Sequence, residues 1–426
     1  MAAGSRYSFG MRFLPLLLLF PFVAHAELEN PNLLPLGEEE AFLGNAGIAH
    51  AESTGATYYN PGALGFIRNK KVSIYGNAYL ADHTYIRAQS RLNGYDVPLN
   101  SSSFSPIPLS SVTILGNERF TYAFSVHVPS SSNYQFQMPL QADTAKLALV
   151  GNISSSSLWI GPSIGKRVSE DFGWGASLYA VRYAYNATIL DNVTASASSL
   201  SIAATVGQHQ EMSAISAIAI LGGQWRLSPV WRLGVRLQSQ ALNLRGSGST
   251  YSVVSGTVNG QASTGLLNEN GYDTRYRTPF QLGVGFENES LPNLELLGDV
   301  NAQFPVDYQT APSRPSLSSR ILSKFTVRGS LGAKWRLNAT RSLLGGVMVN
   351  PSTIPPGGSS MGGFPDENFH GVSLGLQNDA GVLTTTLGGF FSWSSGDFNV
   401  ENTGGAVKSP IEHQLYGVLM TASYKL

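Results

Sequence analysis

The stretch "FTVRGSLGAKWRL", residues 325–337, alternates along its whole length. Phe325, Val327, Leu331, Ala333, Trp335 and Leu337 fall on one side; Thr326, Arg328, Ser330, Lys334 and Arg336 fall on the other. A period of two means an extended strand whose successive side chains point to opposite faces. One face meets something apolar and the other something polar. The same pattern recurs in "WRLGVRLQS" (231–239), where Trp231, Leu233, Val235 and Leu237 oppose Arg232, Gly234, Arg236 and Gln238. It recurs in the last residues, where Tyr416, Val418, Met420, Ala422, Tyr424 and Leu426 oppose Gly417, Thr421, Ser423 and Lys425.

Segments of this kind predict fourteen strands: 70–80, 107–116, 119–129, 155–168, 171–186, 212–227, 230–245, 276–287, 293–305, 321–337, 341–350, 369–377, 381–393 and 413–426. Short connections such as 169–171, 227–231, 288–293 and 378–381 alternate with longer polar stretches such as 246–275 and 351–368. Long alternating strands in even number, joined by short turns at one end and long loops at the other, describe an all-β transmembrane antiparallel β-barrel. Lipid offers no hydrogen bonds, so a sheet crosses a membrane only when it closes on itself. Strands of a soluble sandwich are usually about 5–6 residues long, which these exceed.

The N-terminus reads as a secretory signal peptide over residues 1–26. Arg6 and Arg12 precede the apolar run 13–23, and Ala24-His25-Ala26 supplies the cleavage site. The chain has no cysteine, which excludes disulfides and thiolate metal sites. Charged residues are only 13%, with 27 basic and 27 acidic, so no nucleic-acid partner is expected. The 46 glycines, 18 tyrosines and 20 phenylalanines suit strands and turns. No cofactor and no metal are expected, because the histidines show no ligand spacing.

Residues 27–69 do not alternate. They are rich in Gly, Ala, Ser and Thr, and contain "ATYYNPGALGF" (56–66). Small residues let backbone pack closely against a wall. A fourteen-stranded barrel would otherwise hold an aqueous lumen. The segment is therefore expected to be an N-terminal plug, or hatch, with the barrel occupying 70–426. Asn60-Pro61-Gly62 is expected to form the sharp exit from plug to wall, with Gly62 free to take positive φ. Tyr58 and Tyr59 are expected to anchor it. A short helix is expected within 38–51, and Glu38-Glu39-Glu40 is expected to be a solvated charge run.

The order of a small-residue segment, Asn-Pro-small and a strand resembles the FadL/TodX family of outer-membrane transporters for long-chain fatty acids and other hydrophobic compounds. Residues 157–183, 278–304, 325–337 and 364–376 resemble the family's paired strands. The resemblance covers essentially all of the mature chain, though Gly62 replaces the family's Ala and the chain ends in Leu426 rather than Phe. It implies passive, energy-independent uptake of a hydrophobic molecule across the bacterial outer membrane, with release as the plug shifts, sideways into the membrane. The partners it implies are that solute, outer-membrane lipid and lipopolysaccharide, with the chain acting as a monomer.

Arg232, Arg236, Arg328, Lys334 and Arg336 are expected to face the lumen, and the first four are the candidates for pairing a ligand carboxylate. Pairing with inward acids such as Glu295 and Asp299 is the competing reading of each. Val128-Pro129 is expected to end the third strand, and Pro129 is a candidate for opening a gap in the wall, since proline donates no ladder hydrogen bond. His127 is expected to be a satisfied lumen side chain. A general porin for small polar solutes, a structural or adhesive barrel and an outer-membrane enzyme are the alternatives. No local signature of catalysis is seen.

Overall fold

The computed structural model describes residues 34–50, 53–88, 97–104, 110–116, 120–142, 145–197, 200–318, 320–355, 366–402 and 405–426. The expected signal peptide lies outside these, as does most of the stretch 351–368.

The strands are β1 (Lys71–Ala88), β2 (Val97–Phe104), β3 (Ser110–Gly116), β4 (Thr121–Ala142), β5 (Ala145–Arg167), β6 (Phe172–Ala197) and β7 (Leu200–Ser228). They continue as β8 (Trp231–Gln238), β9 (Leu242–Val258), β10 (Gln261–Tyr272), β11 (Gln281–Leu291) and β12 (Leu294–Gln303). The two short strands β13 (Asp307–Gln309) and β14 (Arg320–Leu322) pair only with each other. The wall resumes with β15 (Thr326–Arg336), β16 (Arg341–Asn350), β17 (Asp366–Asp379), β18 (Leu383–Asn402) and β19 (Gly405–Lys425). Pairing is antiparallel throughout, and β19 returns to β1, from Lys71 opposite Lys425 to Ile86 opposite Ile411. Three wall positions are each filled by two successive strands: β2 with β3, β8 with β9, and β10 with β11. The result is a closed barrel of fourteen wall positions, as the alternation predicts.

The alternation also decides which face is which. Phe325, Val327, Leu331, Trp335 and Leu337 are exposed on the outside, as are Leu374, Leu376, Met420 and Tyr424. Arg328, Gln238, Glu295 and Asp299 are buried on the inside.

Two expectations about the wall need correction. Residues 246–275 are a hairpin, β9–β10, rather than a loop, with Asn259 and Gly260 both at positive φ in its turn. Asn-Gly between strands is a strong signal for such a turn. Second, Pro129 does not end its strand. β4 runs on to Ala142, and its register against β5 shifts between His127 and Ser130, so Val128-Pro129 sits in a bulge. A bulge accommodates the missing N–H without terminating the ladder.

β6 and β7 have 26 and 29 residues, more than twice the roughly 9–11 that cross a membrane. Their outer halves, with β4, β5, β9 and β10, rise on one side of the barrel. β11, β12, β15 and β16 are only 10–11 residues long.

Candidate functional site

Residues 34–50 and 53–67 lie inside the ring of strands. Almost all are buried, and Phe42, Leu43, Ala46, Ala56, Thr57, Asn60, Ala63 and Leu64 are fully so. The wall receives them on inward glycines. A methyl group at Gly346 would stand 2.1 Å from the backbone of Leu43 and Gly44, and one at Gly222 would stand 2.0 Å from the Asn60 side chain. A side chain on either would push the segment off its seat. Only a 3-10 turn forms at Glu40–Phe42, in place of the expected helix. Gly37, Gly44 and Asn45 take positive φ around it, which an α-helix excludes.

Asn60 is extended (φ −159°, ψ 97°), as a residue before proline should be, and caps the 3-10 turn Pro61–Phe66. Its Nδ2 donates to Ile48 O at 2.6 Å, Gly223 O at 3.0 Å and Gln224 Oε1 at 3.1 Å, while its Oδ1 accepts from Gly62 N at 3.0 Å. One side chain thus ties two parts of the segment to β7. Gly62 does not take positive φ. It is small because the backbone of Gly222 and Gly223 lies against it. Asn60→Ala removes all four bonds, a loss of about 2–4 kcal/mol at roughly 1 kcal/mol each. The expected outcome is a barrel that still forms but whose lumen is less well filled, read as raised conductance with unchanged heat-modifiable migration.

Tyr58 and Tyr59 lead into a buried aromatic cluster. Tyr58 packs on Trp159 and His127, with ring centroids 5.5 Å away in each case, and Trp159 packs on Tyr179 at 5.6 Å. The Tyr59 hydroxyl donates to Leu36 O at 3.0 Å. His127 joins segment and wall: Nε2 meets Thr57 Oγ1 at 3.1 Å, and Nδ1 meets the hydroxyl of Tyr75 on β1. His127 thus adjoins the bulge that contains Pro129.

The charges contradict the reading of Glu38-Glu39-Glu40 as solvated. Glu38 accepts from Thr54 and Ser73 and pairs with Lys71 at 3.4 Å. Glu39 accepts from Lys334 Nζ at 2.7 and 2.8 Å and from Gln377 at 2.7 Å. The imidazole of His50 lies 3.4 Å from Glu39, 3.3 Å from Glu40 and 3.6 Å from Glu295. Asp299 accepts from Gly47 N at 2.7 Å and Ile48 N at 3.0 Å. Burial alone would raise the pKa of Glu39, but Lys334 and His50 outweigh it and lower it to about 2. Burial alone would lower that of His50, but Glu40, Glu39 and Glu295 raise it to about 10. The segment is therefore fastened to the wall by ion pairs, and nothing in the spacing of these residues reveals it.

The four basic candidates separate into two groups. Arg232 is taken by Glu287 and by Glu289 at 2.7 Å, and Lys334 by Glu39. Arg232 thus reaches the trio Glu287, Glu289 and Glu295, the one potential metal-ligand group among the described residues, and supplies positive charge there. Arg336, expected inside, is half exposed and only 3.7 Å from Glu295 at nearest. Arg236, 2% exposed, donates to three neutral acceptors: Tyr58 O at 3.2 Å, Gln281 Oε1 at 3.2 Å and Gln238 Oε1. Arg328 reaches the same Gln281 oxygen at 2.6 Å. Two guanidinium groups thus converge on one amide oxygen beside the aromatic cluster.

A closed fourteen-position barrel with its N-terminal segment folded inside defines a recognisable architecture. No protein-family model matches the chain, and no curated protein matches it. Solved structures do. A Pseudomonas aeruginosa FadL homologue aligns over 93% of this chain and 99% of its own, at 10% identity and a TM-score of 0.67. The Pseudomonas putida toluene transporter TodX aligns over 92% and 99%, at 13% and 0.62. The Ralstonia pickettii toluene transporter TbuX aligns over 93% and 99%, at 14% and 0.60. The chain thus has the fold of the FadL and TodX structures. At these identities the likeness is one of fold.

Proposed function

We propose that this chain is a passive outer-membrane channel for hydrophobic molecules, long-chain fatty acids or aromatic hydrocarbons, with residues 27–69 as its plug. The observation that carries this reading is the buried aromatic cluster of Tyr58, Trp159, Tyr179 and His127 at the junction of segment and wall. An apolar solute gains by leaving water for such a surface. The likeness in fold to transporters of toluene supports it. Arg236 and Arg328, which converge on Gln281 beside the aromatic cluster, are the proposed partners of a ligand carboxylate, while Arg232 and Lys334 hold carboxylates of the chain. The bulge at Val128-Pro129, next to His127, is the proposed place of sideways release. The membrane is the bacterial outer membrane, with its lipid and lipopolysaccharide against the apolar outer face, and the chain acts as a monomer.

The reading as a general porin is weaker, because a porin keeps an open aqueous lumen and here the interior holds a buried segment. The reading as an enzyme gains no support from His413. Its Nε2 meets Asp82, its Nδ1 faces Glu367, and Ser394 donates to Glu367 rather than to the imidazole.

The test is uptake of radiolabelled dodecanoate and ethylbenzene by cells carrying the chain in their outer membrane, beside single-channel conductance of the purified barrel. Uptake of at least one solute above that of cells lacking the chain, with low conductance, is expected. Large steady conductance without uptake would sink the proposal.

A further inference from the structure

The wall has a seam away from Pro129. The β9–β10 ladder stops at Gly248 opposite Tyr272, and the β8–β11 ladder begins at Gln238 opposite Gln281. Residues 239–247 and 273–280 face each other between the two. A regular antiparallel ladder over this length would hold about eight backbone hydrogen bonds. Among the described residues one is made here, from Ala241 N to Thr278 O at 3.2 Å.

Other bonds from the second stretch go to side chains, to a loop and, from Thr274 Oγ1 at 2.6 Å, to Ser213 O on β7. Tyr276 N donates to Asn243 Oδ1 at 3.2 Å, Ser216 Oγ donates to Tyr276 O at 3.3 Å, and Arg275 N donates to Thr310 O at 2.8 Å. The register of β9 against β7 also shifts here, between Asn243 and Arg245. Residues 273–279 can move while the β9–β7 ladder and the Phe304 N to Phe280 O bond stay in place.

What closes the seam is aromatic. Tyr276 points inward and stacks on Tyr183 of β6, with centroids 4.3 Å apart and planes within 5°. Both rings belong to the same buried cluster as Tyr58, Trp159 and Tyr179. On the outside, Leu242 and Leu244 are 66% and 60% exposed on one lip, and Phe280 is exposed on the other. Exposed apolar side chains of this kind mark lipid contact. The seam therefore joins the aromatic interior to the lipid face.

We propose that residues 239–247 and 273–280 form a second side opening of the barrel, gated by Tyr276, that passes a slender apolar solute between lumen and lipid. The inference rests on the channel reading above. Swinging Tyr276 off Tyr183 frees a slot one ring thick, which fits a single aromatic ring or an alkyl chain. The Tyr276 backbone N–H and C=O are bonded to the Asn243 and Ser216 side chains, which can follow the movement and limit the cost of exposing them to lipid.

The chain has no cysteine, so a staple can be placed cleanly. Ala241→Cys with Thr278→Cys bridges the seam. Val235→Cys with Val284→Cys, opposite each other in the regular β8–β11 ladder, is the control between the same two wall positions. Uptake of radiolabelled ethylbenzene and dodecanoate is measured in cells, oxidised and then reduced. The expected result is at least a tenfold loss with the seam staple, restored by reductant, and no change with the control. Equal uptake by the oxidised and reduced seam variant overturns the second opening while leaving the channel reading intact. No uptake by the parent chain overturns both. Loss with both staples overturns the seam's special role, since any stiffening of the wall would then suffice. Tyr276→Ala, needing no oxidation, is expected to speed uptake several-fold; unchanged uptake would count against the gate.

Discussion

Removal of residues 34–62 is expected to raise single-channel conductance about tenfold or more, because a barrel of this strand number without internal filling is a water-filled pore. The segment seats against inward glycines on β5, β6, β7, β8, β11, β15, β16 and β17, so no part of the wall replaces it. The barrel itself should survive, since its ladders close through β1 and β19 without the segment. Planar-bilayer recording gives the conductance, and heat-modifiable migration reports the barrel. An unchanged conductance in a folded barrel would remove the plug from the account.

Replacement of Lys334 by Met is expected to loosen the segment by roughly 3 kcal/mol, the low end for breaking a buried ion pair. That is about a hundredfold in the seating equilibrium. The Glu39 and Lys334 side chains are only 13% and 14% exposed, so solvent screens the carboxylate little, and it keeps His50 and Gln377 as partners. Glu39→Gln in the same chain should restore part of the loss, because the carboxylate left without Lys334 is then gone while His50 keeps Glu40 and Glu295. Protection of the segment from protease, measured for both single variants and the double, gives the coupling.

The pH dependence follows from the same groups. Glu39 titrates near 4.5 when free and near 2 in place, so its contribution is present above pH 4.5 and lost as pH falls toward 2. His50 titrates near 6.5 when free and near 10 in place, so its contribution is full below pH 6.5 and lost as pH rises toward 10. Seating should therefore be firmest between about pH 4.5 and 6.5 and weaken on both sides. Conductance of the intact chain against pH should show a minimum there. A flat profile would separate the ion pairs from seating.

Much of the architecture is legible in the residues because a barrel wall is written locally. Strand period, face and count follow from neighbours two residues apart, as in 325–337, where Val327 and Trp335 meet the outside and Arg328 and Lys334 the inside. Strand ends are less legible. The outer halves of β4 to β7 and the hairpin β9–β10 have weak alternation in Ser, Thr and Asn, because water meets much of their surface there and selects against neither kind of side chain. The Asn259-Gly260 turn was the available signal.

The sequence by itself determined that this chain is a closed membrane barrel preceded by a small-residue segment. Lipid permits no other β structure, and the alternation it imposes can be read one strand at a time. Only the tertiary structure decided what the segment's residues do. Glu39 finds Lys334 and Gln377, Asn60 finds Gly223 and Gln224, and His127 joins Thr57 to Tyr75. These partners lie up to 338 positions apart, and closure of the barrel brings them together. The charge run 38–40 becomes a buried fastening because the ring of strands surrounds it, a fact of closure that no local pattern contains.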